Sequence, residues 1–208
     1  MTPGPALPGA TPGRGPLAGI LVADFSRILA GPYSTMLLAD LGAEVVKVEG
    51  PAGDDTRTWQ PPVRDEVSTY YLGVNRNKRS VALDLKDPDD VALAQELARR
   101  ADVLVENFKP GGLGRFGLDY DSVAAVNPGV VYASISGFGS GPGGAALPGY
   151  DLIVQAISGF MSLTGDPEGS PTARASPSST SWPACTRPSA CWPRSTTGTR
   201  PARGSTSR

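Results

Sequence analysis

The 208-residue sequence predicts an α/β fold built on a doubly wound, mostly parallel sheet. Three observations carry this. Short apolar runs of the kind that form buried strands recur five times between residues 19 and 137. Most are separated by stretches with apolar residues at helical spacing, the pattern of βαβ units. A polar or Gly-rich segment follows each run, as expected at the carboxyl edge of a parallel sheet, where such folds bind ligands.

In chain order, "GILVADF" (19–25) reads as the first strand, and "AGPYSTMLLADLGA" (30–43) as a helix that Pro32 can open and Gly42 can close. "EVVKVE" (44–49) is the second strand. The polar, Pro-rich segment 50–67 follows as a long loop of the kind compact domains keep for function. "RSVALDL" (79–85) is the third strand. Next, Asp87 can cap a helix and Pro88 suits its first turn, while Asp89 and Asp90 complement the start of the helix dipole and Arg99 and Arg100 its end. Val91, Ala94, Leu97 and Ala98 supply the apolar stripe, and "DVLVEN" (102–107) returns as the fourth strand. "DYDSVAAVNPGVVYASISG" repeats helix then strand; after the Gly-rich "GFGSGPGGAALPG", the segment "YDLIVQAISGFM" (150–161) reads as a helix.

Composition divides the chain in three. Residues 1–16 form a Pro- and Gly-rich extension without the basic start and apolar run of a signal peptide. Residues 17–172 are enough for one core. All 20 acidic residues and 13 of the 19 Lys and Arg lie in residues 1–172, a net charge of −7. Residues 173–208 hold six Arg, five Pro and 14 Ser or Thr, with no Asp, Glu, Leu, Ile, Val or Phe. Cys185 and Cys191 both fall in this tail and say nothing about the redox compartment of the folded part. No apolar stretch approaches membrane-spanning length, so a soluble cytoplasmic chain with neither a membrane nor a nucleic-acid partner is expected.

The residues after the strands form a consistent set: 24–27, Glu49 and Gly50, 84–86, 106–109 and 136–139. A phosphate-bearing ligand would want the cations Arg27, Lys86, Lys109 and Arg115 together with N–H groups at helix starts. The same cations also suit a solvated surface. "GFGSGPGG" follows a strand but precedes a turn-rich loop, unlike a dinucleotide fingerprint. Asp151 can serve as the N-cap of the last helix, or the N–H groups there can hold its carboxylate ionised and aimed as a nucleophile. Its position alone does not choose between the two. The sequence has no histidine, which excludes Ser-His and Cys-His pairs and a His metal site; no metal is expected.

"PLAGILVADFSRILAGPYSTMLLADLGAEVVKVEGPAGDDTR", "NRNKRSVALDLKDPDD", "ADVLVENFKPGGLGRFGLDY", "NPGVVYASISGFGSGP" and "GYDLIVQAISGFMSLTG" together resemble the N-terminal half of class III coenzyme A transferases, the CaiB/BaiF family. The resemblance runs through 17–172. It implies a Rossmann-like large domain, a second smaller domain and two chains interlinked like rings. It also implies transfer of CoA from an acyl-CoA to a carboxylic acid, with CoA as substrate and no resident cofactor. Asp151 matches the aspartate that attacks the thioester and becomes an aspartyl-CoA thioester. Ile28 and Leu29 of "SRILAGP" match backbone contacts to CoA, and Leu83, Asp84, Leu85 and Lys86 of "LDLK" match another contact segment. Asn107, Phe108 and Lys109 of "ENFKPG" and Arg115 of "GRFG" match positions near the pantetheine arm and the phosphates. Formyl-CoA transferases place an arginine after the "KVE" strand, where this chain has Gly50.

Two further readings stay open. Racemisation of an acyl-CoA, known in the same family, pairs the aspartate with a histidine that this sequence lacks. A stand-alone CoA- or nucleotide-binding module would need only the sheet edge. The tail favours a third expectation, a reading-frame slip near residues 170–176 that leaves a truncated, inactive chain. Shifted by one base, Ser codons become Phe, Leu, Ile or Val codons, and Trp and Cys codons become Leu, Val or Met. The Ser-rich text of 176–195 then turns into an apolar helical pattern. Its alternative is a disordered low-complexity linker.

Overall fold

A computed structural model describes residues 15–173. In chain order the elements are β1 (Leu21–Asp24), α1 (Ala30–Asp40), β2 (Glu44–Glu49), β3 (Val63–Arg64), β4 (Val67–Ser68), α2 (Thr69–Asn75) and β5 (Lys78–Ala82). Then come α3 (Pro88–Arg100), β6 (Val103–Glu106), α4 (Tyr120–Val126), β7 (Val131–Ser134) and α5 (Asp151–Ile157). Five strands make one wholly parallel sheet in the order β5-β2-β1-β6-β7. The doubly wound α/β arrangement is thus present, and the strand order reverses direction between β1 and β6.

Side chains of a strand alternate between faces, and the core divides accordingly. Val22, Val45, Val103 and Val105 cluster with Leu38 and Ala39 of α1. Ala23, Phe25 and Leu104 cluster on the opposite face with Ala94 and Ala98 of α3 and Val123 of α4. Leu104 is wholly buried, which is worth about 1.5–3 kcal/mol relative to leaving it exposed. α3 begins as its sequence dictates: Asp87 accepts a hydrogen bond from the Asp89 N–H at 2.9 Å, and Pro88 fills the first helical position.

Several boundaries differ from the sequence expectation. The third sheet strand spans Lys78–Ala82 rather than 79–85, because Asp84 turns the chain, accepting from Lys86 N while its own N–H donates to Asp90. The segment 50–67 contains a 3₁₀ turn at Asp55–Thr58 and part of the β3-β4 hairpin, and α2 follows directly. The last helix stops at Ile157 instead of 161. Gly159 adopts φ +76°, and Phe160–Leu163 continue as a 3₁₀ turn. Among the described residues no helix is long and apolar enough to cross a membrane. The expectations for 1–14 and for the tail from 174 onward fall outside the described residues.

Candidate functional site

Because all five sheet strands are parallel, the segments that follow them share one edge. At its centre, between β1 and β6, the turn after β1 is held residue by residue. Phe25 N donates to Val105 O at 2.8 Å, continuing the sheet. Ser26 O accepts from Lys47 Nζ at 2.8 Å. Asn107 Oδ1 accepts from Arg27 N at 2.8 Å, and Asn107 Nδ2 donates to Arg27 O at 2.7 Å. Ile28 N donates to Asp54 Oδ2 at 3.2 Å. Ile28 adopts φ +70°, a left-handed conformation that costs a β-branched residue about 1–3 kcal/mol.

Beneath this turn lies a layer of buried charge. Lys47 and Asp54 pair at 2.9 Å with side chains 1% and 0% exposed. Lys78 pairs with Asp24 at 3.0 Å and donates to Pro32 O and Asn75 Oδ1. Asp24 also accepts from the hydroxyls of Ser26 and Thr35. Burial pushes the Lys78 ammonium down to about 8, against the pull of Asp24. For Asp24, burial would raise the carboxyl, but Lys78, Lys47 and the two hydroxyls outweigh it and hold the group below its usual range. Glu49 also resists the effect of burial. Arg57, Tyr71, Ser80 and the Asp54 N–H all donate to it, and they hold it at about 2. Removing one partner from such a pair strands a buried charge and is strongly destabilising.

The residues expected from sequence distribute along this edge. Ile28 and Leu29 follow β1 at the centre. Asn107 and Phe108 follow β6 beside them, with the Arg27 guanidinium 5.6 Å from the Phe108 ring centre. Lys109 is exposed, and Arg115 sits in a 3₁₀ turn over the Phe116 ring. Leu83, Asp84, Leu85 and Lys86 form the turn after β5, the outermost strand; Leu83 is buried and Lys86 exposed. The structure therefore joins Arg27 to Asn107 and Phe108 directly and leaves 83–86 two strands away. A Cβ built at Gly50 would meet nothing within 4 Å.

Asp151 is placed by a different route. The Gly-rich loop leaves β7 and crosses its own path, so that a Cβ on Gly137 would lie 2.5 Å from the Gly149 Cα. Only glycine permits this approach, and Asp151 stands two residues beyond it. The glycines thus serve backbone crossing. Tyr150, not Asp151, occupies the N-cap; Asp151 is the first helical residue and accepts from Gln155 Nε2 at 2.5 Å. Its charge is felt at Tyr70, whose phenol is raised by burial and then by the Asp54 and Asp151 carboxylates. Tyr70 packs on Trp59, ring centres 5.2 Å apart, and both line a cleft of about 660 Å³ with Gln60, Pro61, Pro62, Ser68 and Thr69.

Sequence reasoning missed Lys47, Asp54, Lys78, Trp59 and Tyr70. A signal existed for the first and third: a lysine inside an otherwise apolar strand, and another at the start of one, are candidates for buried pairing. Among the described residues no three acidic or cysteine side chains are grouped to hold a metal ion.

The model of CoA-transferase family III matches residues 17–184. The chain belongs to this family. Among relatives of CoA-transferase family III, it is 50% identical over 163 residues to the succinate–glutarate CoA-transferase of Agrobacterium fabrum, covering 75% of this chain and 41% of that one. It is 51% identical over 160 residues to the acetyl-CoA:oxalate CoA-transferase of Acetobacter aceti, covering 76% and 41%. The crystal structure of a CaiB/BaiF family protein from Brucella suis superposes with a TM-score of 0.82 at 41% identity, covering 88% of this chain and 49% of that one. The chain therefore spans about two fifths of the length of these curated relatives.

Proposed function

We propose that this chain carries the CoA-binding edge and the nucleophile of a CoA-transferase, which moves CoA from an acyl-CoA to a carboxylic acid through a thioester on Asp151. The observation that carries the reading is Asp151 itself: a half-buried carboxylate on the first turn of α5, just past the glycine crossing, whose charge reaches the Tyr70 cleft. In the first step an Asp151 oxygen attacks the thioester carbonyl and CoA leaves as thiolate, giving a mixed anhydride. The thiolate then attacks the Asp151 acyl carbon, which releases the donor as its carboxylate and leaves CoA on the enzyme. The acceptor carboxylate displaces CoA to form a second anhydride. Attack of the thiolate on the acceptor carbonyl frees Asp151 and delivers the new acyl-CoA.

The turn 27–29 and residues 108–109 would take the CoA at the switch point between β1 and β6, where open α/β sheets bind ligands. Arg27, Lys86, Lys109 and Arg115 would meet the phosphates. The cleft under Trp59 and Tyr70 would take the acyl or acid group. Relatives named for succinate, glutarate and oxalate support a short dicarboxylic acid as one of the two exchanging acids.

The test is covalent trapping. Incubation of the chain with succinyl-CoA followed by hydroxylamine should convert Asp151 alone to a hydroxamate, read by peptide mass spectrometry. Labelling that persists in Asp151→Ala, or that falls on another carboxylate, refutes the role.

A further inference from the structure

We infer that Asn107 and Asp54, with Lys47 behind them, are positioning residues that clamp the turn 26–28 in a strained shape for CoA, and that Asn107 acts on the backbone of this chain instead of on the ligand. The inference takes the identity of the ligand from the proposed function. Besides the local bond from Ser26 N to Asp24, four side-chain hydrogen bonds reach the backbone of three consecutive residues from three separate parts of the chain: Lys47 of β2, Asp54 of the loop after it, and Asn107 after β6.

Asn107 is the most telling of the three. Its carboxamide accepts from Arg27 N and donates to Arg27 O, the pair of bonds a neighbouring strand would make. It thereby extends the β1-β6 pairing past the last true strand residue, 80 positions away in sequence. Asp54 then takes the next N–H, that of Ile28. Asp54 is itself fixed by its buried pairing with Lys47 and by the Thr56 N–H and hydroxyl.

What these contacts hold is a conformation that isoleucine avoids when unconstrained, φ +70° at Ile28. Without the clamp the turn would relax to negative φ and swing the peptide groups of Ile28 and Leu29 away from the switch point. With it, the shape exists before any ligand arrives, which reduces the ordering cost of binding. A glycine at 28 would adopt the same φ freely and make the clamp dispensable.

That last property gives the experiment. CoA is titrated calorimetrically into the full 208-residue chain, into Asn107→Ala, into Ile28→Gly and into the double variant. Asn107→Ala is expected to weaken CoA about tenfold in the parent chain but less than about threefold in the Ile28→Gly background. Equal losses in both backgrounds mean that Asn107 touches CoA directly, which overturns the inference and leaves the proposed function standing. A parent chain that takes up no CoA overturns both. A second readout needs no ligand: amide hydrogen exchange at Ile28 should quicken about tenfold or more in Asp54→Asn. Unchanged exchange in that folded variant also overturns the clamp.

Discussion

Around the carboxyl ends of β1 and β2 shape is held by buried charges, whereas residues 136–163 are held by a backbone crossing of two glycines and a seven-residue helix. The first region has each ionised group matched: Lys47 with Asp54, Lys78 with Asp24, Glu49 with Arg57. The second leaves Tyr150, Leu152, Ile157 and Leu163 exposed, Leu163 at 82%. The difference separates two tasks. An edge that receives CoA, as proposed, would need a fixed backbone, and paired charges in a dry layer can supply it. The nucleophile proposed at Asp151 would need only its place and direction, and the crossing at Gly137 and Gly149 lies within two residues of it.

If this division is right, damage should differ in kind on the two sides. Asp54→Ala leaves Lys47 buried without its partner and should destabilise the chain by about 3–5 kcal/mol, measured by denaturant unfolding. A loss under about 1 kcal/mol would show that the charged layer is not what holds that edge. Gly137→Ala forces a methyl group toward the Gly149 backbone and should cost about 1–3 kcal/mol. Its more specific effect is slower trapping of Asp151, while CoA affinity stays within about twofold of the parent.

The pH response belongs to the charged side. Glu49 titrates near 4.5 when unfolded and at about 2 when folded, so its contribution is complete above 4.5 and disappears as pH falls toward 2. Thermal unfolding of Glu49→Gln should be correspondingly flatter over that window than unfolding of the parent. The smallest effect is expected on the exposed face of α5. Leu152→Ser and Ile157→Ser should each change stability by no more than about 0.5 kcal/mol, by the same denaturant measurement. A larger loss would mean that this face is covered in solution.

The frame of the molecule was readable because it depends on local pattern. Asp87, Pro88 and the Ala94–Ala98 spacing specify α3 without help from the rest of the chain. Helix α2 escaped notice because "TYYLGVN" is one short stretch with a glycine in it and no apolar period; it forms where Ser68 caps it and Tyr71 finds Glu49. The candidate site divides in the same way. Asn107 and Ile28 could be placed at strand ends from sequence, but their relation through Arg27 spans 80 residues and exists only in the fold. The strand pattern showed where Lys47 lies but not that a buried aspartate awaited it. Eleven residues lie between Gly137 and Gly149, and nothing in that sequence announces that the two touch.

The central position of β1 has a consequence for the chain as it is made. Leu21 N donates to Asp102 Oδ2 across 81 residues, and Val22 lies in register with Val103. At a synthesis rate of about 5–20 residues per second, β1 waits about 4–16 s for that neighbour after it has emerged. Through this interval it can pair only with β2, and Val22 and Ala23, wholly buried in the finished sheet, stay open to the cell. A ribosome that stalls before residue 103 releases an unfinished sheet with a sticky edge, which chaperones or proteases would have to clear.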